Sequence, residues 1–355
     1  MKLVIFGLTV SSSWGNGHAT LWRGLCRALA ARSHHVVFFE RDVPYYRSTR
    51  DLFALEGGDL VFYEDWDEVS ERAARELADA DAAIVTSFCP DGERAAELVL
   101  ERARGVRVFY DMDTPVTLAS LEQGVRPPYL PAQGLGGFDL VLSFTGGKAL
   151  DELQSRLGAR RVAPLYGHVD PDVHRPTPPD PDLRADLSYI GTYSGDREAA
   201  VDELFFGPAR ALPSRRFVLA GSMYPDDSRW PENVQHRQHL APNAHPALFC
   251  SSRITLNVTR STMARFGHCP SGRLFEAAAC GAALASDWFE GLDCFFAPER
   301  EIHVVRTRKD VIELLERSDQ ELLRSAEAAR ERTLACHSAA VRAESLERLL
   351  WERPS

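Results

Sequence analysis

The chain has no apolar run approaching the roughly 20 residues that a membrane-spanning helix needs. It has no Cys-x-x-Cys pair and no His/Cys cluster at the spacing of a structural zinc site. Its seven cysteines are scattered and odd in number. No export signal is evident, so the expectation is reduced thiols in a cytoplasmic protein. Residues 2–6 form an apolar run too short for a signal-peptide core and lead straight into a glycine-containing loop, so they read as a first strand. Positive charge is in deficit: 41 Lys and Arg face 51 Asp and Glu, a net charge of -10. That balance speaks against general nucleic-acid binding, which wants a basic face, but leaves room for a local basic pocket. The Gly-x-Gly-x-x-Gly fingerprint of dinucleotide binding is missing after the first apolar run, which weakens a nicotinamide dehydrogenase reading. There is no internal repeat and no long low-complexity tract.

What is present is an ordinary globular composition, 45% hydrophobic and 26% charged, over 355 residues, enough for two domains. Short runs rich in Val, Ile and Phe alternate with helical patterns, which predicts an α/β protein with parallel sheets covered on both faces. In the first half the predicted strands are 3–8, 35–39, 60–63, 82–86, 106–110, 140–144 and 162–165, with helices at 19–32, 67–80, 91–104 and 147–157. Pro176, Pro178, Pro179 and Pro181 then crowd one stretch, which excludes helix and central strand there. The alternation restarts with strands at 187–190, 217–220, 254–258, 282–285 and 302–305, and helices near 197–211, 245–250, after Pro270, and at 310–317, 319–336 and 339–351. The predicted organisation is a Rossmann-like domain over 1–168, a Pro-rich linker over 169–185, a second Rossmann-like domain over 186–337 and a final helix over 338–355. Ligands in such sheets bind at the carboxyl ends of the strands, so the loops after strands should carry the chemistry.

Residues 265–281 gather the most chemistry. Pro270 and Ser271 mark a helix start, and Gly281 marks its stop. Free N–H groups around Ser271 and Gly272, with the charge of Arg273, suit an anion. Glu276 lies one turn in, three residues after Arg273 and on the same side. A carboxylate there can accept hydrogen bonds from a ribose diol while the helix start holds a diphosphate. The competing reading is a buried crossover helix with a solvated Arg–Glu pair.

These residues also carry a family resemblance. Pro270-Ser-Gly-Arg-Leu-Phe-Glu-Ala-Ala-Ala-Cys-Gly281 resembles the nucleotide-sugar segment of glycosyltransferases of the two-domain GT-B type, with the greatest likeness to the CgeB-like (spore maturation) group of family-1-type enzymes. The likeness extends to Ser11-Ser-Ser-Trp-Gly-Asn-Gly-His18 and Tyr110-Asp-Met-Asp-Thr-Pro115, and spans nearly the whole chain. In the wider superfamily a pair of Glu frames this segment, and the second binds the donor ribose. Glu276 matches that second Glu, whereas the first position holds His268. The resemblance implies two Rossmann-like domains facing across a cleft and a nucleoside diphosphate sugar as donor. It also implies a final helix that crosses back to the first domain.

Four further loops supply candidates. In 9–20, Gly15 and Gly17 allow close backbone approach, and the imidazole of His18 at the helix start suits a general base toward an acceptor hydroxyl. Inverting GT-B enzymes often place a His in this loop. The alternative is a His that caps the helix or packs under Trp14 or Trp22. Asp111 and Asp113 follow an apolar strand and invite three readings: a divalent-metal site, contact with acceptor or sugar, or a cap leading into Thr114-Pro115. The basic helix start offers diphosphate stabilisation without metal, so no metal or other cofactor is expected. In 189–197, Gly191 and Thr192 can turn backbone groups toward a phosphate and Arg197 adds charge, while Gly221 lies in a stretch, 220–224, that can wall the nucleobase. Arg260 is placed to reach the same phosphates, and His268 to touch the donor sugar. His168 and Asp170 open the linker, where a hinge contributes to a cleft.

The expected activity is sugar transfer from a nucleoside diphosphate sugar to an acceptor that the sequence does not identify. Catalysis is assigned to His18, Asp111 and Asp113. Donor binding is assigned to Gly191, Thr192, Arg197, Gly221, Arg260, His268, Ser271, Gly272, Arg273 and Glu276. Two rivals remain at this stage: a sugar-nucleotide 2-epimerase, which converts donor with no acceptor, and a non-catalytic nucleotide-sugar binder.

Overall fold

The computed structural model describes residues 1–225 and 230–352, so the last three positions of the predicted final helix lie outside the described residues. The chain divides into two compact units, Met1–Tyr166 with the residues from Ala339 onward, and Gly167–Ser338.

The first unit is built on seven strands: β1 Lys2–Gly7, β2 His35–Arg41, β3 Gly58–Tyr63, β4 Ala82–Thr86, β5 Val106–Asp111, β6 Leu140–Ser143 and β7 Val162–Pro164. They form one parallel sheet in the order β3-β2-β1-β4-β5-β6-β7. Continuous apolar runs suit strands covered on both faces, and Leu3, Val4, Ile5 and Phe6 are all fully buried. One face packs Phe6, Phe39, Val85, Phe109 and Leu153 together. The other gathers Ile5, Trp22, Leu25, Leu29 and Ile84 with Ala343, Leu346 and Leu350. The helix Ala339–Trp351 therefore completes this unit's core, and its Glu347 accepts hydrogen bonds from Arg32 and His34. The strand order reverses between β1 and β4, which opens a crevice at their carboxyl ends.

The second unit has six parallel strands: β8 Ala185–Ile190, β9 Phe217–Ala220, β10 Val234–Arg237, β11 Ser252–Asn257, β12 Ala283–Ser286 and β13 His303–Val304. Their order is β10-β9-β8-β11-β12-β13. Leu187, Phe205, Phe217, Leu219, Ile254 and Leu256 form its core. The order reverses between β8 and β11.

Three features depart from the sequence-based expectation. Strand β10 was not predicted, because it lies at the sheet edge and buries only Val234 of its four residues. The helix expected at 197–211 is interrupted by a π turn over Asp202–Phe206, just before Pro208, which has no N–H to continue an α-helical ladder. Thr114-Pro115 opens a full helix, Thr114–Glu122, with the proline in the first turn where its missing N–H costs nothing. The Pro-rich stretch is held against its own unit: the Thr177 N–H donates to Cys250 Sγ (3.3 Å), and the Asp180 N–H to Ser251 Oγ (2.7 Å).

Leu346 is fully buried between the last helix and the first sheet. Leu346→Ala should lower the unfolding free energy by about 3 kcal/mol, because the removed methyl groups leave a cavity. Urea unfolding checks this; a loss below about 1 kcal/mol would show that the last helix contributes little to the core.

Candidate functional site

In the first unit the loop after β1 is organised by a buried carboxylate. Glu40, near the end of β2, is fully buried and accepts hydrogen bonds from Thr9 Oγ1 (2.8 Å), the Val10 N–H (2.7 Å), the Ser11 N–H (3.0 Å) and the Ser11 hydroxyl. Asp51 fixes Ser13 by accepting from its N–H and hydroxyl, and is itself gripped by Arg23. Gly15 turns the chain at φ +60, and Asn16 caps the helix Gly17–Ala31 by accepting from the His18 N–H (3.0 Å). This fixes the backbone of His18. Its ring sits edge-on to Phe88, and its Nε2 lies 3.2 Å from Asp113 Oδ2. The other ring nitrogen, Nδ1, is covered and makes no hydrogen bond. A carboxylate beside the ring stabilises the imidazolium that forms when the imidazole takes a proton.

Asp111 stands apart. Its side chain is fully buried at the end of β5, where Oδ1 accepts from the Asp113 N–H (3.1 Å) and the hydroxyls of Thr117 and Ser87 face the carboxyl. Burial pushes its carboxyl from the ordinary 3.8 up to about 6, with the nearby charge of Asp113 adding to the rise. In this conformation Asp111 has no exposed surface, so its contact with acceptor or sugar stays a proposal. It shapes the turn that carries Asp113.

In the second unit, the candidate donor residues surround the β8/β11 reversal. After β8, Arg197 folds back so that Nη2 donates to the Thr192 carbonyl, and its guanidinium lies 5.8 Å from the Tyr189 ring centre. Gly221 is required by close approach: a Cβ there would stand 2.0 Å from the Gly191 carbonyl oxygen. Tyr224 donates to that same carbonyl (3.1 Å), so the 220–224 stretch braces the Gly191 loop. After β11, Thr259 gives its N–H and hydroxyl to Asp287 (2.8–3.0 Å), and Arg260 lies 3.6 Å from Asp196.

The helix Gly272–Ala279 begins at Ser271, whose hydroxyl accepts from the Arg273 N–H (3.3 Å). Where Gly272 would carry a Cβ there is no atom within 4 Å, so packing does not require glycine there. Glu276 is buried, and its Oε2 accepts from Arg273 Nη1 at 2.5 Å. The same guanidinium donates to His245 Nδ1 (3.0 Å), and His174 Nε2 lies 3.9 Å from Glu276. Burial alone would raise the Glu276 carboxyl, but the positive surroundings led by Arg273 outweigh it and hold the group at about 2. His245 is held down at about 3 and His174 also low, in both cases first by burial. Both rings are therefore neutral at pH 7, and Arg273 is the cation that matters to Glu276. The side chains of His174, His245 and Glu276 bring metal-ligand atoms within 4.8 Å of one another, and Arg273 is hydrogen-bonded to two of these residues, His245 and Glu276.

His268 occupies a strained turn at φ +44, with its N–H on the Glu290 carbonyl (2.6 Å) and its ring against Gly291, where any Cβ would clash. His168 and Asp170 are buried, and the Asp170 carbonyl and carboxylate close the turn that leads to His174. Sequence reasoning missed Glu40, Asp51, His174 and His245. Glu40 alone had a local signal, a charged residue directly after a strand of buried type.

Residues 197–348 match a family described as Glycosyl transferase-like. No curated protein matches the chain. Among solved structures, sucrose-phosphate synthase from Thermosynechococcus elongatus is 13% identical, with 98% of each chain covered and a TM-score of 0.66. Anabaena Alr3699/HepE, in complex with UDP and glucose, is 11% identical, with 99% of each covered and a TM-score of 0.64. An alpha-glucosyltransferase in complex with UDP is 13% identical, covering 99% of this chain and 100% of its own, at a TM-score of 0.68. At these identities the likeness establishes the fold, which is GT-B.

The elevated Asp111 carboxyl has a pH signature. Folded protein keeps that proton up to about pH 6, while the unfolded chain releases it near 3.8, so stability falls as pH rises through this interval. Asp111→Asn removes the loss. Its stability relative to the parent should increase between about pH 4 and 6 and then stay level, reaching roughly 2–3 kcal/mol. Urea unfolding from pH 4 to 8 checks this, and a gap independent of pH would contradict it.

Proposed function

We infer that this chain is a glycosyltransferase that takes a sugar from a nucleoside diphosphate donor bound by its second unit and passes it to a hydroxyl acceptor. The observation that carries the reading is the Arg273–Glu276 pair at a helix start beside the β8/β11 reversal, within a glycosyl transferase-like match. That arrangement offers a cation and free N–H groups to the diphosphate, and a buried, ionised carboxylate to the ribose diol. The open space at Gly272 lets a ligand approach the backbone there. UDP in two of the similar structures makes uridine diphosphate glucose the first donor to test.

The bond from the sugar's anomeric carbon to the diphosphate breaks with developing negative charge on the leaving oxygen. Arg273, Arg197 and Arg260 supply the opposing charge, so the reaction is proposed to proceed without metal. The acceptor oxygen attacks the anomeric carbon as His18 takes its proton, and Asp113 steadies the ring and the imidazolium. Asp113 is thus a positioning residue for His18. The CgeB-like character of the 270–281 segment and a cytoplasmic location belong to the same proposal. Among the described residues no helix is long and apolar enough to cross a membrane.

Calorimetry and product analysis test the assignment. Glu276→Ala should weaken binding of uridine diphosphate at least tenfold. His18→Ala should leave that affinity within about twofold while lowering turnover on the order of 100-fold. An unchanged affinity in the Glu276 variant would refute the ribose role. Conversion of donor to an epimer with acceptor absent would favour the isomerase rival.

A further inference from the structure

Tyr189 lies near the carboxyl end of β8, the central strand at the reversal of the second sheet. Its ring packs on Phe205 (6.0 Å between centres) and is 2% exposed. Its hydroxyl is buried and has no hydrogen-bond partner among the described residues. Such a group is destabilising when left unpaired, so its retention between the core and the charged groups Arg197, Arg273, Asp196 and Asp287 asks for a reason outside the apolar core. Its surroundings supply one. A Cβ built on Gly191 would stand 2.8 Å from the Tyr189 hydroxyl and 3.0 Å from Arg197 Nη2. The hydroxyl and the guanidinium thus converge on one spot beside the Gly191 backbone, so close that no side chain fits there. Arg273 and Arg260 belong to the same end of the sheet, after β11.

We propose that the Tyr189 hydroxyl is a donor-binding group that gives its hydrogen to a diphosphate oxygen of the bound nucleotide, next to Arg197. This rests on the donor-site reading above and adds a neutral hydrogen-bond donor to its cations. Burial raises the phenol pKa, so the group stays protonated and can donate throughout the neutral range. Among the described residues no hydroxyl or carbonyl takes the hydrogen, so the nucleotide meets a group free of competing bonds.

Tyr189→Phe removes one oxygen and keeps the ring, so the core around Phe205 and Phe217 stays packed. Calorimetry would compare uridine diphosphate with uridine on parent and variant. The expected result is about a tenfold loss of affinity for the diphosphate and no change for the nucleoside. The ligand-free variant should melt at or above the parent temperature, because an unsatisfied buried group has gone. Diphosphate affinity within twofold of the parent, or an equal loss for uridine, would overturn the proposal. Failure of the parent protein to bind any nucleoside diphosphate would instead overturn the donor-site reading on which it rests.

Discussion

A carboxylate taken out of water must find a cation or several donors, and that constraint organises the candidate site of the second unit. Glu276 meets it with Arg273, one helical turn away, while His174 and His245 close round the pair as neutral rings. A charge paired in this way is ionised and pre-oriented before any ligand arrives. Arg273, with about a third of its side chain exposed, links the buried carboxylate to the solvent side where a diphosphate would lie. Displacing part of this pairing is the cost of binding, and hydrogen bonds from ribose hydroxyls and phosphate oxygens offset it.

The first unit applies the same constraint to a different end. Glu40 is satisfied by four donors from Thr9, Val10 and Ser11, so it fixes the loop that carries His18 rather than presenting charge itself. Asp111 is the opposite case, a buried carboxyl with no cation beside it, whose pKa burial raises. Three buried carboxylates thus take three roles according to what surrounds them: Glu276 ionised by a cation, Glu40 anchoring a loop, and Asp111 shaping the turn that carries Asp113.

Much of this was legible in the sequence where the signal is local. The helix after Ser271, with Arg273 and Glu276 three apart, could be read because cap, spacing and stop are adjacent in the chain. The alternation of apolar strands with helices predicted the parallel sheets for the same reason. The His18–Asp113 contact could not be read, since its partners are 95 residues apart and meet only through the order of β1, β4 and β5. Depth was equally hidden: nothing in Asp-Met-Asp tells that one carboxylate is sealed and the other reaches His18. His174 escaped notice because prolines mark its segment as irregular, and irregular backbone can still deliver a side chain into a buried cluster. Strand β10 was missed because an edge position tolerates polar residues.

The most direct measurement of the central claim is a crystal structure of the protein with uridine diphosphate. The account predicts ribose hydroxyls on Glu276 and a diphosphate oxygen on Arg273, with the nucleotide at the carboxyl ends of β8 and β11. A nucleotide seated elsewhere, with the Arg273–Glu276 pair undisturbed and untouched, would contradict it.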